Sequence, residues 1–534
     1  MPSHFTTSSL PALGSALQSL SLACVLGAGL FAVAAEAADA APIVAVTGGQ
    51  IRGKLLPESR GAVFKGIPFA QPPVGPLRWR EPQPVLAWDG IRDAFVSGPP
   101  AAQASLGWND AFAAASREDC LYLDVWTPTV VPDPVRKPVM VWIHGGANLA
   151  GTGGFDPLYD GRARIRRDVV LVVVEYRVGI FGFFAHPELT KESPHHSSGN
   201  YAFLDQIAAL QWVRDNIAKF GGDPGNVTLF GQSAGAIDLT ALMTSPLARG
   251  LFHRAIAESG PLIRQQTQPL GAVEAAGVRT AGELRAPERN TLAYLRSLPA
   301  EKLLQVKSAG VAFGVDGWVF PANPVDVFQA GKAHPLPLLS GSNAIEFPFA
   351  GSPAAMEKNI REILQGLAAK GLALYGPAGT AARPAVDPKY GDQADQWGSD
   401  LFRCPVIIQG ELHGAAGNSV WEYEFTRAIP PRPKVGHGSD LPYVFGNLYP
   451  TGGQGGEFQA ADRKLSDIVQ TYWTNFAKTG NPNGAGLPLW PQYDGKARKF
   501  LEFTANAEVA VGENQRGPYC DLFRELMKKS AATQ

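Results

Sequence analysis

Residues 227–236 read Val-Thr-Leu-Phe-Gly-Gln-Ser-Ala-Gly-Ala, and the fold is read outward from them. Val227 to Phe230 has the composition of a buried strand, and Ala236 to Met243 can begin a helix. Between them Gly231-Gln232-Ser233-Ala234-Gly235 is a Gly-x-Ser-x-Gly pentapeptide. In a strand–turn–helix setting this pattern puts the serine on a sharp, strained turn. The flanking glycines leave room where a Cβ would meet neighbouring backbone. The Ser233 hydroxyl is therefore expected above the end of a sheet, at a helix N-terminus whose amides favour developing negative charge.

Upstream, Pro138 to Gly146 (PVMVWIHGG) and Val169 to Val178 (VVLVVVEYRV) are apolar nearly throughout. Such runs indicate strands covered on both faces, as in a parallel sheet. From Phe203 to Phe220 the apolar residues Leu204, Ile207, Leu210, Val213 and Ile217 recur at helical spacing. Strand, helix, strand at this length predicts a βαβ crossover. Leu336 to Leu339 and Trp421 to Phe425 read as further strands, and Ala461 to Lys478 as another helix. The fold class is α/β: a central, mostly parallel sheet flanked by helices on both sides. Pro261 to Val319 and Gly351 to Trp397 show no clear strands and read as helical insertions over the active-site end of the sheet.

A serine hydroxyl needs a base, and the base an orienting acid; in this architecture they follow in the order Ser, Asp or Glu, His. Far downstream of Ser233 stand His413 and His437. His413 lies in a helix-like segment, Cys404 to Gly414, and reads as structural. His437 lies between glycines on a loop after the strand WEYEF and is the candidate base. Glu346 is the one carboxylate in the loop after the strand at 336–339 and is the candidate acid. His144-Gly145-Gly146-Ala147 follows the strand VMVWI. The amides of Gly146 and Ala147, with that of Ala234, are candidates to converge on a substrate oxygen. One such donor is worth about 10²–10³ in rate in serine hydrolases. His144 reads as a brace for this loop.

The chain has 534 residues, beyond the usual limit of about 250–300 for one core. That leaves two domains or one sheet domain with long insertions. A net charge of −1 and the lack of any Lys/Arg run set nucleic-acid binding aside. An apolar run from Leu20 to Ala35, followed by Ala35-Glu36-Ala37 and Ala38-Asp39-Ala40, reads as an export leader (residues 1–40) cleaved near 37 or 40. It lacks the usual basic start, because Arg52 is the first Lys or Arg. No other stretch is apolar enough to span a bilayer. Cleavage would leave Cys120, Cys404 and Cys520. Three cysteines in an exported chain indicate one bridge and one free thiol, and spacing alone leaves the pairing open.

Five separated blocks carry a more specific signal: FKGIPFAQPPVGPLRWREPQP from Phe64, EDCLYLDVWTP from Glu118, GNYAFLDQIAALQWVRDNIAKFGGDPGNVTLFGQSAGA from Gly199, LFHRAIAESG from Leu251 and HGSDLPYVFG from His437. With these the chain resembles the type-B carboxylesterase family, from about Val44 to Leu526. The resemblance implies an α/β-hydrolase fold in one large domain, 41–534, with the active site in a gorge over the sheet. It implies a Ser-Glu-His triad, matched by Ser233, by Glu346 in Gly341-x-Asn343-x-x-Glu346, and by His437 in His437-Gly438-x-Asp440. It also implies a Cys404–Cys520 bridge. The family's partner for Cys120 is missing from Gly98 to Gln103, so Cys120 is expected as a buried free thiol. Ala147 replaces a common third glycine, keeping the N–H but restricting the turn.

The implied activity is hydrolysis of short-chain or aromatic carboxylic esters through an acyl-serine. Its partners are a small-molecule ester and water, and it calls for no metal or cofactor. A narrow-specificity esterase acting on a lactone, aromatic ester or toxin ester fits the same residues. The adhesion-type binding members of the family typically lack the nucleophile that this chain keeps. The aromatic choline site of cholinesterases has no recognisable counterpart, and the expected location is periplasmic or secreted.

Overall fold

In the computed structural model, residues 41–57, 61–129, 135–264, 267–306, 311–376, 386–429, 432, 434–449 and 457–533 are described. The expected leader, 1–40, lies outside them. Eleven strands build the main sheet: β1 (Lys54–Leu56), β2 (Gly61–Pro68), β3 (Tyr122–Thr127), β4 (Lys137–Ile143), β5 (Val170–Val174), β6 (Gly222–Gln232), β7 (Arg254–Glu258), β8 (Leu338–Asn343), β9 (Val420–Phe425), β10 (Lys499–Phe503) and β11 (Val509–Glu513). Their spatial order is β11-β10-β9-β8-β7-β6-β4-β5-β3-β2-β1. From β10 through β5 every neighbouring pair is parallel, while β11 and the β3–β1 end are antiparallel. The parallel centre is covered on both faces, which is why Val139 to Ile143 and Val170 to Val174 are buried throughout.

The principal helices are α1 (Tyr201–Asn216), α2 (Ala234–Leu242), α3 (Leu270–Glu283), α4 (Pro353–Leu364), α5 (Ala368–Tyr375), α6 (Gln393–Ala415), α7 (Ala460–Thr479) and α8 (Gly517–Thr533). The crossover read from the sequence is present, with one difference. Chain leaving β5 passes through α1 into β6, but β4 stands between those two strands. One buried cluster joins β4, β5 and α1 through Val141, Val172, Phe203 and Leu210. A second joins the other face to α7 through Trp142, Phe230, Trp473 and Phe503. Residues Ile43–Gln534 make one compact unit. Among the described residues no helix is long and apolar enough to cross a membrane.

Three local readings are corrected. The strand expected at 336–339 is β8, and it runs to Asn343, so Ser340 to Asn343 are strand rather than loop. Their small polar side chains hide the strand from a hydropathy reading, yet β8 pairs in parallel with β9 as far as Asn343 and with β7 as far as Gly341. A Cβ on Gly341 would lie 2.1 Å from the Tyr423 ring; the aromatic neighbour demands glycine there. The segment 261–319 is not wholly helical, because Thr267–Pro269 pairs with Phe313–Val315. Likewise, within 351–397 a short antiparallel pair, Val386–Asp387 with Gly391–Asp392, precedes α6.

A disulfide joins Cys404 of α6 to Cys520 of α8, and Cys120 is a buried free thiol pushed up by burial. Next to the bridge, Asp400 accepts from Arg516 at 2.6 Å and from Tyr375 at 3.1 Å, and it pairs with Arg403. Arg403 in turn donates to the carbonyl of Ala344, just beyond β8.

Candidate active site

The turn between β6 and α2 places Ser233 at φ 57°, ψ −124°, a conformation a non-glycine residue adopts only where its surroundings enforce it. Both flanking glycines are sterically required. A Cβ on Gly235 would lie 2.1 Å from the Ile143 carbonyl, and one on Gly231 would lie 2.7 Å from Gly235 backbone. The Ser233 amide donates to the Glu258 carbonyl at 2.8 Å, and its carbonyl accepts from Ala236 and Ile237. Strand and helix thus hold the turn from both ends.

Glu346 and His437 meet across two loops. His437 Nδ1 lies 2.5 Å from Glu346 Oε2, and the His437 amide donates to the Glu346 carbonyl at 3.2 Å. The other carboxylate oxygen, Oε1, accepts from Ser259 Oγ and from the Asn343 amide, each at 2.7 Å. Ser399 Oγ accepts from the Glu346 amide at 2.9 Å. This buried carboxylate is fixed by three donors, one of them the imidazole. In the neutral ring the proton therefore sits on Nδ1 and Nε2 is left as an acceptor. That acceptor faces Gln232 Nε2 at 3.0 Å. Among the described residues Ser233 Oγ has no hydrogen-bond partner.

Behind the pair, Asn343 Nδ2 donates to Asp440 Oδ1 at 3.3 Å, and Tyr423 donates to Asp440 Oδ2 at 2.7 Å. The motifs that carry Glu346 and His437 are stapled together by the Asn343–Asp440 contact. Burial pushes the Asp440 carboxyl up, the Glu346 charge adds to that, and the Tyr423 and Asn343 donors oppose it. Glu258 is pushed well up, first by burial and then by Asp440, against a donor from Trp473 at 2.7 Å. Phe347 stacks 4.2 Å from the His437 ring and is 44% exposed, and Phe402 stands 5.8 Å away. Together they give the His437 ring an apolar border open to solvent.

The loop after β4 lies against the serine. A Cβ on Gly145 would stand 3.0 Å from Ser233 Cβ, and one on Gly146 would stand 1.9 Å from the Ala150 carbonyl. Gly146, Ala147 and Asn148 all have positive φ, at 118°, 58° and 57°. Among the described residues the amides of Gly146, Ala147 and Ala234 have no protein acceptor. His144 stacks on Tyr176, its Nδ1 lies 2.8 Å from the Gly145 carbonyl, and burial drives it down to about 4. It is buried and neutral, as a brace would be. His413 is also structural, with Nε2 2.8 Å from the Leu336 carbonyl. No group of three His, Cys, Asp or Glu among the described residues is placed to hold a metal ion.

Sequence reasoning missed Ser259, Ser399 and the side chain of Gln232. Gln232 sits inside the pentapeptide, but the pattern does not say where its carboxamide points. Ser259 lies in the block LFHRAIAESG, which does not say what its hydroxyl meets, and Ser399 carries no local pattern.

An eleven-stranded, mostly parallel sheet with a serine at a strand–helix elbow is the architecture of the α/β-hydrolase fold. Residues 40–371 and 380–523 match the model of the carboxylesterase family, and the chain belongs to that family. It is 35% identical, over 95% of its length and 97% of the relative's, to the medium-chain fatty acyl-CoA hydrolase precursor of Anas platyrhynchos. It is 34% identical to the fumonisin B1 esterase of Sphingopyxis macrogoltabida, covering 92% of this chain and 91% of that one. Among solved structures it is similar to a PNB esterase, with a TM-score of 0.78 at 31% identity, over 90% of this chain and 99% of that one. The protein is a carboxylic-ester hydrolase, acting on a small-molecule ester with water as the second reactant.

Proposed function

We propose that Ser233 is the nucleophile, His437 the general base and Glu346 the acid that orients it, acting on short-chain or aromatic carboxylic esters. The observation that carries this reading is the 2.5 Å Glu346–His437 contact beside a serine held at φ 57°. As Ser233 Oγ attacks the ester carbonyl, His437 Nε2 takes its proton, and Glu346 stabilises the imidazolium that forms. The amides of Gly146, Ala147 and Ala234 receive the oxyanion. His437 then protonates the leaving alcohol, an acyl-Ser233 remains, and water repeats the sequence. Every step uses groups of this chain, and the exposed Phe347 ring favours an apolar or aromatic substituent next to the base.

The same reading takes residues 41–534 as one catalytic domain and the preceding segment as an export leader. Export is supported by the Cys404–Cys520 bridge, since such bridges persist in oxidising compartments.

The test is hydrolysis of p-nitrophenyl esters from acetyl to palmitoyl by wild type and by Ser233→Ala. Turnover that peaks at short acyl chains and vanishes in the folded variant is expected. Appreciable activity in Ser233→Ala overturns the assignment. The similarity to a fumonisin B1 esterase favours a second reading, a narrow-specificity esterase. A folded wild type inactive on the whole series would select it.

A further inference from the structure

The loop that carries the Gly146 and Ala147 amides holds three consecutive residues at positive φ, and two of them, Ala147 and Asn148, are not glycine. Such a conformation persists only where neighbouring groups over-determine it. The methyl group of Ala147 cannot hydrogen-bond. Asn148 can, and its buried side chain reaches through the protein to α2. Its Nδ2 donates to Asp238 Oδ1 at 2.8 Å. Asp238 is fully buried and stands five residues after Ser233, on the same short helix whose first amide belongs to Ala234. The second oxygen of Asp238 accepts from Gln206 Nε2 of α1 at 2.7 Å. Tyr176 closes the arrangement, donating to the His144 carbonyl at 2.7 Å and lying 3.4 Å from Asn148 Oδ1. The Asn148 carbonyl accepts from the Gly179 amide at 2.6 Å.

We propose that the Asn148–Asp238 contact is a positioning clamp that fixes the oxyanion loop to the nucleophile helix. The three candidate oxyanion donors come from two separate elements, the loop for Gly146 and Ala147 and α2 for Ala234. They can converge on one oxygen only if loop and helix hold a fixed separation. Asp238 is the group that both elements share: it belongs to the helix, and its carboxylate grips the loop. The clamp also supplies a constraint at the point where this chain carries Ala147 and Asn148 rather than freely turning glycine. Neither Asn148 nor Asp238 touches substrate in this scheme; both act through the position of the amides. Misplacing such donors by about 1 Å costs on the order of 10²-fold in rate.

This inference rests on the reading of Gly146, Ala147 and Ala234 as the oxyanion donors, and the experiment keeps the two apart. Asp238→Ala and Asn148→Gly are compared with wild type, Ser233→Ala and Asp238→Asn, all as full-length protein. The readouts are kcat and KM on p-nitrophenyl acetate, affinity for a trifluoromethyl ketone that adds to the serine as an oxyanion, and the melting temperature. Asp238→Ala and Asn148→Gly are expected to lose about 10²-fold in kcat with KM nearly constant, and to lose ketone affinity in parallel. Asp238→Asn retains an acceptor for Asn148, and Gln206 Oε1, which has no partner among the described residues, can turn to meet the new amide. It is expected to recover most of the loss.

If Asp238→Ala does not fold, Asn148→Gly, which also releases the backbone constraint, decides alone. The clamp is overturned if folded Asn148→Gly keeps wild-type kcat and ketone affinity, or if the loss appears in KM with kcat unchanged. In those outcomes Ser233→Ala is still inactive and the catalytic reading stands. Failure of that reading shows itself separately, as turnover by Ser233→Ala.

Discussion

His437 Nε2 lies 3.0 Å from the carboxamide nitrogen of Gln232 and, among the described residues, makes no hydrogen bond to Ser233. With Nδ1–H committed to Glu346, the lone pair on Nε2 is capped by a neutral donor. A donor to the neutral ring opposes its protonation, whereas a carboxylate in the same place would favour the imidazolium. Glu346 faces the ring from one side, and Asp440, three residues along its own loop, is occupied by Tyr423 and Asn343. Gln232→Glu is therefore expected to move the acid limb of kcat/KM to higher pH. A limb that stays where it was would show that Gln232 does not govern the base.

Glu346→Gln keeps the volume of the acid and removes its charge. The donors from Ser259 and the Asn343 amide can still be met, but the ring loses the group that fixes its tautomer. A fall in kcat of about 10³–10⁴-fold with little change in melting temperature is expected. A loss of tenfold or less would remove Glu346 from the proposed triad.

Glu422 offers a test in stability. It is buried on β9, neither carboxyl oxygen has a partner among the described residues, and burial together with the Glu411 charge raises it well above the ordinary carboxyl range. Unfolded, it gives up its proton near pH 4.3 or so; folded, it keeps it to much higher pH. The folded chain thus binds more protons in between. The stability from this group is fully present below about pH 4.3 and declines as pH rises through the folded value. Glu422→Gln, which copies the neutral form, is expected to gain melting temperature relative to wild type as pH goes from about 5 to about 8. A difference that is flat or of opposite slope would mean that Glu422 is ionised in the fold.

Thiol titration in denaturant without reductant reports on both the bridge and the leader. With Cys404 and Cys520 joined, Cys120 is expected to react, and Cys24 reacts as well if the leader is retained. Reducing the bridge, or replacing both cysteines by serine, removes a closure over 116 residues, worth roughly 4–5 kcal/mol on the chain-entropy model. A lower denaturation midpoint with unaltered KM is the expected result.

The elbow turn at Ser233, and the positions of Glu346 and His437 that the fold brings together, are legible in the sequence because each sits in a short pattern. Gly231 and Gly235 are required by carbonyls less than 3 Å from where their Cβ atoms would be, so their identity reports the turn directly. Asn148 and Asp238 are another matter. Ninety residues separate them, each is an ordinary polar residue locally, and only the closed fold makes them neighbours. The strand β8 was misread for a related reason. Hydropathy sees Ser340-Gly341-Ser342-Asn343 as loop, whereas pairing with β9 throughout, with β7 as far as Gly341, and the Tyr423 ring decide it.

The acid loop is held from the far end of the chain. Arg403 grips the Ala344 carbonyl, Asp400 grips Arg403 and Arg516, and Cys520 is bonded to the helix that carries them. On the ribosome, Ser233, Glu346 and His437 are made before Arg516 and Cys520, so the outermost support of this loop, the Asp400–Arg516 pair and the bridge, closes only when translation is nearly over. A chain cut short before Arg516 would keep the contacts of Glu346 with Ser259, Asn343 and His437 but would lack the charge partner and the covalent tie behind them.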